Sequence, residues 1–134
     1  MLEVVDVRAE LMAPPFVLPN LSDRVLLAKF FRALGDPTRL RILQAVLEEE
    51  KSVSELVALT GSPQGRVSSH LACLRWCGYV SARREGRRVY YRVTDPRVRR
   101  VLELVSQMVG DHADRIRSCT RIDSRPARRR RRSR

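Results

Sequence analysis

The sequence predicts a mainly α fold with one β-hairpin, and three observations carry that prediction. Two short helical stretches, "VSELVALTG" and "QGRVSSHLACLRWC", meet at a glycine-containing turn, the layout of a helix-turn-helix whose second member enters the major groove. Behind them "YVSARREGRRVYYRV" alternates over residues 80–93, as the two strands of a hairpin do. Arg83, Arg84, Arg87 and Arg88 crowd its tip. A helix-turn-helix followed by an Arg-tipped hairpin is a winged helix-turn-helix.

Each element has its own local warrant. In residues 1–21 the prolines of "PPFVLP" block a continuous helix, so this stretch reads as a leader set apart from the body. From about Ser22, a candidate N-cap, Val25, Leu26, Phe30 and Leu34 recur at helical spacing. Gly35 ends that helix, Asp36 caps the next, and Pro37 suits a first position where no N–H is needed. Leu40, Leu43 and Leu47 share one face of this second helix. Leu56 and Leu59 mark the third, which stops at Gly61, and the fourth runs from about Pro63 to just before Gly78. The hairpin turn is expected at Glu85-Gly86. After Asp95-Pro96 a last helix carries Val98, Val101, Leu102, Val105, Met108 and Val109 at i, i+3, i+4, i+7 spacing and persists to about Ser118.

A chain of 134 residues allows one compact domain, here residues 22–118, and domains this small often complete their core by dimerising. The first and last helices have more apolar face than so small a body can cover. Leu26, Phe30, Val98, Leu102, Val105 and Val109 are therefore expected at a homodimer interface, which would set two recognition helices about one DNA turn apart on a palindromic operator.

Charge points to the partner. Lys and Arg number 27 against 15 Asp and Glu, and seven Arg fall in the last ten residues. A tail over residues 119–134 that ends "RPARRRRRSR" has nothing apolar to bury and repels itself, and its attraction to phosphate is expected to fall with salt. The N-terminal stretch is broken by Glu3, Asp6, Arg8 and Glu10, so it is no signal peptide, and no membrane span is expected. With only three cysteines, the expected compartment is a reducing cytoplasm. No paired carboxylates, Gly-rich phosphate loop or nucleophile arrangement suggests an enzyme.

Turned into a wheel at about 100° per residue from Val67, the fourth helix puts Leu71 at about +40° and Leu74 at about −20°, which centres the buried stripe there. Cys77 and Cys73 fall at about −80° and −120°, beside that stripe, with His70 and Arg66 on the same side. A disulfide between the two is disfavoured, since i, i+4 Cβ atoms lie about 6 Å apart and a bridge needs roughly 3.5–4.5 Å. A metal ion with longer bonds to sulfur can be gripped by such a pair. Arg66 and Arg75 are expected to help hold the thiolates ionised. Gln64, Arg66, Ser68 and Ser69 lie at the front of this helix, where side chains reach bases and phosphates. His70 reads as a structural or DNA-contacting residue, with metal ligation as the sharper alternative, and Arg84, Arg87 and Arg88 as DNA contacts of the wing.

Taken together, "ALGDPTRLRIL" (33–43), "SVSELVALTGSPQGRVSSHLACLRWCGYV" (52–80) and "REGRRVYYRV" (84–93) resemble the ArsR/SmtB family of winged-helix metal-sensing repressors over about residues 22–118. The resemblance implies a homodimer that represses an operator when metal-free and releases it when metal binds. The site type with a thiol pair in the third helix does not match, because "VSELVALTG" has no cysteine. The zinc or nickel type on the last helix fails too: Asp95 is present, but Arg97 stands where its first His is expected, and His112 alone does not rebuild it. "LACLRWCG" (71–78) looks like the setting used by cadmium and lead sensors of the CmtR type, which add a cysteine from the C-terminal region. Cys73, Cys77 and Cys119, 42 residues after Cys77, would then be the ligands, and the resemblance points to Cys119 of the partner subunit. Three thiolates suit Cd(II), Pb(II) or Hg(II). Two other readings stand beside this one: a repressor of the same fold that senses thiol oxidation, and a basic architectural nucleic-acid-binding protein whose Arg tail is the main binding element.

Overall fold

A computed structural model describes residues 21–122; the leader before Leu21 and the Arg-rich tail beyond residue 122 lie outside the described residues. The chain divides between Val93 and Thr94 into two units. The first holds α1 (Leu21–Leu34), α2 (Pro37–Glu48), β1 (Lys51–Ser52), α3 (Val53–Thr60), α4 (Gln64–Trp76), β2 (Ser81–Glu85) and β3 (Arg88–Arg92), and the second holds α5 (Pro96–Ser118).

Helix α2 begins as its sequence dictates: the Asp36 carboxylate accepts the Arg39 backbone N–H at 3.0 Å, with Pro37 at the first position. That bond is the main cause holding the Asp36 carboxyl below its usual range. The buried stripe of α2 is Ile42, Leu43 and Val46, while Leu40 and Leu47 are half-buried. The stripe is thus turned from the expected Leu40, Leu43, Leu47 face, because α3 and α4 both pack against α2 and a wider arc is covered. Helix α3 is set by a reciprocal cap in which Ser52 and Glu55 each bind the other's backbone N–H at 3.3 Å. It buries Leu56 and leaves Leu59 41% exposed. Gly61 closes it with φ +67, a conformation that strains any other residue, and donates to the Val57 carbonyl.

Ile42, Leu43, Leu56, Val67, Leu71 and Leu74 are fully buried. Each contributes about 1.5–3 kcal/mol by leaving water. Tyr79 closes one side of this core, stacked on Phe30 with ring centroids 4.4 Å apart and its hydroxyl donating to the Phe30 carbonyl at 2.8 Å. Burial therefore drives the phenol pKa far upward.

The wing belongs to an antiparallel sheet of order β1-β3-β2. β1 was not legible in the sequence; Lys51 and Ser52 pair with Tyr91 and Tyr90. The hairpin register matches Glu85 to Arg88, so the turn is Gly86-Arg87, one residue later than expected. Gly86 at φ +61 occupies the first turn position, where a two-residue loop of the II′ kind wants glycine.

Helix α5 starts on Asp95, whose carboxylate accepts the Arg97 backbone N–H at 2.9 Å and is bridged by its guanidinium at 2.7 Å. The pair draws the Asp95 carboxyl down to about 2. No helix among the described residues is long and apolar enough to cross a membrane.

Candidate functional site

Helix α4 positions the candidate residues. Its N-cap is Pro63, which has no side-chain acceptor to offer, so the helix start has no side-chain cap, and a helix N-terminus is the favourable end for a phosphate. Gln64, Arg66, Ser68 and Ser69 are all exposed there. The Ser69 hydroxyl donates back to the Gly65 carbonyl at 3.0 Å, leaving its lone pairs as acceptors toward the outside. On the wing Arg84, Arg87 and Arg88 are exposed. Arg83 differs: its guanidinium pairs with Glu50 and with Glu85 and lies over the Tyr90 ring, so it braces the sheet.

His70, expected as a structural or DNA-contacting residue, is half-buried. Its Nδ1 lies 3.3 Å from an Arg39 guanidinium nitrogen, and arginine can only donate, so Nδ1 is the acceptor and the ring proton of the neutral form sits on Nε2. That Nε2 is buried without a hydrogen-bond partner among the described residues. The ring is held inward because Arg39 is itself fixed, donating to the Ala33 carbonyl at 2.6 Å and the Arg32 carbonyl at 3.1 Å. Arg39 thereby ties the last turn of α1 to α4, a role that no sequence feature beyond a basic residue in a largely apolar helix announced.

Cys73 and Cys77 are free thiols, both half-buried, beside the stripe as the wheel predicts. Cys77 sits just past the helix end, and its backbone N–H still reaches the Cys73 carbonyl at 3.2 Å, so the helical i, i+4 relation survives. Burial raises the Cys77 pKa first, and the neighbouring Cys73 thiol, which also shares a hydrogen bond with it, adds to the rise. The cation that opposes this is Arg39, not Arg66 or Arg75 as expected. Two soft donors held in contact beside the core fit a thiophilic cation. Cys119, the third free cysteine, is half-buried where α5 ends and donates its N–H to the Ile116 carbonyl. Among the described residues of the single chain no three His, Cys, Asp or Glu side chains gather as a metal site. Asp95 is engaged by Arg97, as just described, which leaves the last-helix site type without its first ligand.

The expected interface residues divide. Leu26 is 63% exposed and Val105 and Val109 are exposed on α5, with Leu102 half-buried. Phe30 is half-buried and stacks on Tyr79 within the chain, and Val98 is buried. Phe31, Leu104 and Met108, which the sequence reading did not assign to this interface, are exposed instead.

Residues 36–82 match the family described as bacterial regulatory protein, arsR family. The chain is 50% identical over 95 residues to a probable mercury resistance operon repressor of Streptomyces lividans, covering 71% of this chain and 76% of that one. It is 46% identical over 83 residues to the HTH-type transcriptional regulator CmtR of Mycobacterium tuberculosis, covering 62% and 70%. Its fold is similar to the solution structure of a homodimeric winged helix-turn-helix DNA-binding domain from Mycobacterium bovis, with TM-score 0.62, 32% identity and coverage of 75% and 92%.

Proposed function

Since the chain belongs to the arsR family of bacterial regulatory proteins, we propose that it is a transcriptional repressor that grips operator DNA as a homodimer and lets go when a thiophilic metal ion binds its cysteines. The observation that carries the reading is the contact between Cys73 and Cys77 on the flank of the helix that reads DNA. Gln64, Arg66, Ser68 and Ser69 meet the major groove, and Arg84, Arg87 and Arg88 meet the backbone beside it. Leu26 and Phe31 on α1, and Val105, Met108 and Val109 on α5, each offer apolar surface for dimerisation.

Cys73, Cys77 and Cys119, the last from the partner subunit, would hold the ion. Bound there, Cd(II), Pb(II) or Hg(II) supplies positive charge and bonds to sulfur. The name of the mercury resistance operon repressor supports an ion of this soft class. On the protein's side, Cys73 and Cys77 give up their protons, the last turn of α4 is drawn toward the third thiol, and the two reading heads lose the spacing that one operator demands. A coupling of roughly 1–3 kcal/mol suffices, and operator DNA must weaken metal binding by the same factor. Residues 22–118 would be the DNA-binding and dimerisation domain, with the Arg-rich segment beyond 119 as a salt-sensitive anchor, acting in the reducing cytoplasm that free thiols require.

Titration with Cd(II), followed by thiolate-to-metal ultraviolet absorption and by operator binding on the same samples, tests this. One ion per site and parallel loss of DNA are expected. Stoichiometric metal with no sulfur absorption and undisturbed DNA binding rules the proposal out.

A further inference from the structure

Trp76 is the chain's one tryptophan, and it is 90% exposed in the last turn of α4. Scattered apolar residues on a surface are ordinary, but this one walls a groove of about 450 Å³ with Ala72, Arg75 and Tyr91 of β3. The lining holds no acid, and the Arg75 guanidinium has no hydrogen-bond or ion-pair partner among the described residues. An aromatic pair beside an unpaired arginine is the composition of a contact surface for an anionic partner with flat or apolar parts.

Its place on the helix says which partner. On the wheel Trp76 lies about 180° from the centre of the buried stripe, on the outward face with Ser69 and Ala72. From Gln64 to Trp76 the helix rises about 18 Å, more than the major groove's width of about 12 Å. A helix whose first turn reads bases while it crosses the groove must carry its last turn over the flanking backbone. We propose that Trp76 and Arg75 form a second seat on the DNA duplex, for the sugar-phosphate backbone bordering the groove that α4 reads. The indole lies on deoxyribose, and its N–H and the Arg75 guanidinium donate to phosphate oxygens. This rests on the operator-binding reading above and adds to it a contact that carries affinity without sequence preference.

The seat also shares its turn with the thiols. The backbone bonds Cys77 to Cys73 at 3.2 Å and Gly78 to Arg75 at 3.1 Å close that turn. Whatever pulls on Cys73 and Cys77 displaces Arg75 and Trp76 with them.

Because no other tryptophan is present, the emission of Trp76 tests the seat directly. The probe is a 30-base-pair duplex selected for binding from a random pool, with full-length protein. Saturating duplex is expected to cut acrylamide quenching about threefold or more. Trp76→Ala is expected to weaken binding about tenfold, or about 1.4 kcal/mol, on matched and mismatched duplexes alike, while Arg75→Ala lowers the salt slope by about 0.9. Circular dichroism of Trp76→Ala confirms the fold. Tight binding with Trp76 still open to acrylamide overturns the seat and spares the operator reading. Failure to select any duplex overturns both. Shielding that rises with protein concentration in the absence of DNA assigns the groove to a second copy of the chain and also overturns the seat.

Discussion

Replacing Arg39 with methionine keeps the aliphatic stem and deletes the guanidinium. That group makes three side-chain bonds: to the Ala33 carbonyl at 2.6 Å, to the Arg32 carbonyl at 3.1 Å and to His70 Nδ1 at 3.3 Å. The first is short, charge-assisted and part-buried, which places it at about 1.5–3 kcal/mol. The second is exposed and shares its acceptor with the Gly35 N–H at 3.0 Å, so water replaces it at little cost. Losing the third leaves both nitrogens of the His70 ring unpaired, since Nε2 already has no partner, at a cost of about 1 kcal/mol. The total is about 3 kcal/mol, which in a chain of this size lowers Tm by roughly 10 °C or more. Thermal unfolding is to be followed at one fixed protein concentration, because the proposed dimerisation would make Tm depend on it. Arg39→Lys restores charge without the planar fork and is expected to recover less than half. A fall of less than about 1 kcal/mol for Arg39→Met, or full recovery with lysine, refutes the assignment of Arg39 as the tie between α1 and α4. The same variant removes the cation that opposes the raised Cys77 pKa, so the thiolate titration midpoint should move to higher pH.

Because the folded chain favours the neutral Cys77 thiol, Cd(II) affinity is expected to climb as pH rises from mildly acid to alkaline and to level off only above the raised thiol pKa. The same sign applies to stability without metal: the contribution of neutral Cys77 is complete below its unfolded value near 9.0 and is lost as pH rises through the folded one, which urea midpoints across that window measure. Val105→Glu combined with Val109→Glu, both on the exposed face of α5, should convert dimer to monomer in sedimentation while leaving the helical circular dichroism in place. Arg87→Ala with Arg88→Ala is expected to reduce the slope of log affinity against log salt by roughly two, measured by operator titration at several salt concentrations; an unchanged slope removes the wing from the DNA interface.

What the sequence made legible follows from how each feature is encoded. The stripe Val67, Leu71, Leu74 and the flanking thiols were readable because a helix repeats its faces at a fixed angle, and a lone wheel captures them. That Phe30 is covered within the chain while Phe31 is exposed was not legible: both are apolar, neighbours differ by one step, and only Tyr79, far along the chain, decides which is covered. β1 escaped because two residues, one of them charged, cannot show alternation. Arg39 and His70 escaped for the same reason as Tyr79, since a bond across 31 residues leaves no periodic trace. Cys119 as a proposed third ligand rests on chain position and family likeness, while the pairing of Cys73 with Cys77 has a local cause in helical geometry.

Ser52 pairs with Tyr90 in the sheet and in the same position caps α3 through Glu55. One residue thus belongs at once to the wing sheet and to the start of α3, like a key shared by two gears. A signal reaching the molecule has no joint at that place to bend. On the proposed reading, wing and α3 would move together when α4 is pulled, and the loss of operator would then come from misalignment between two protomers.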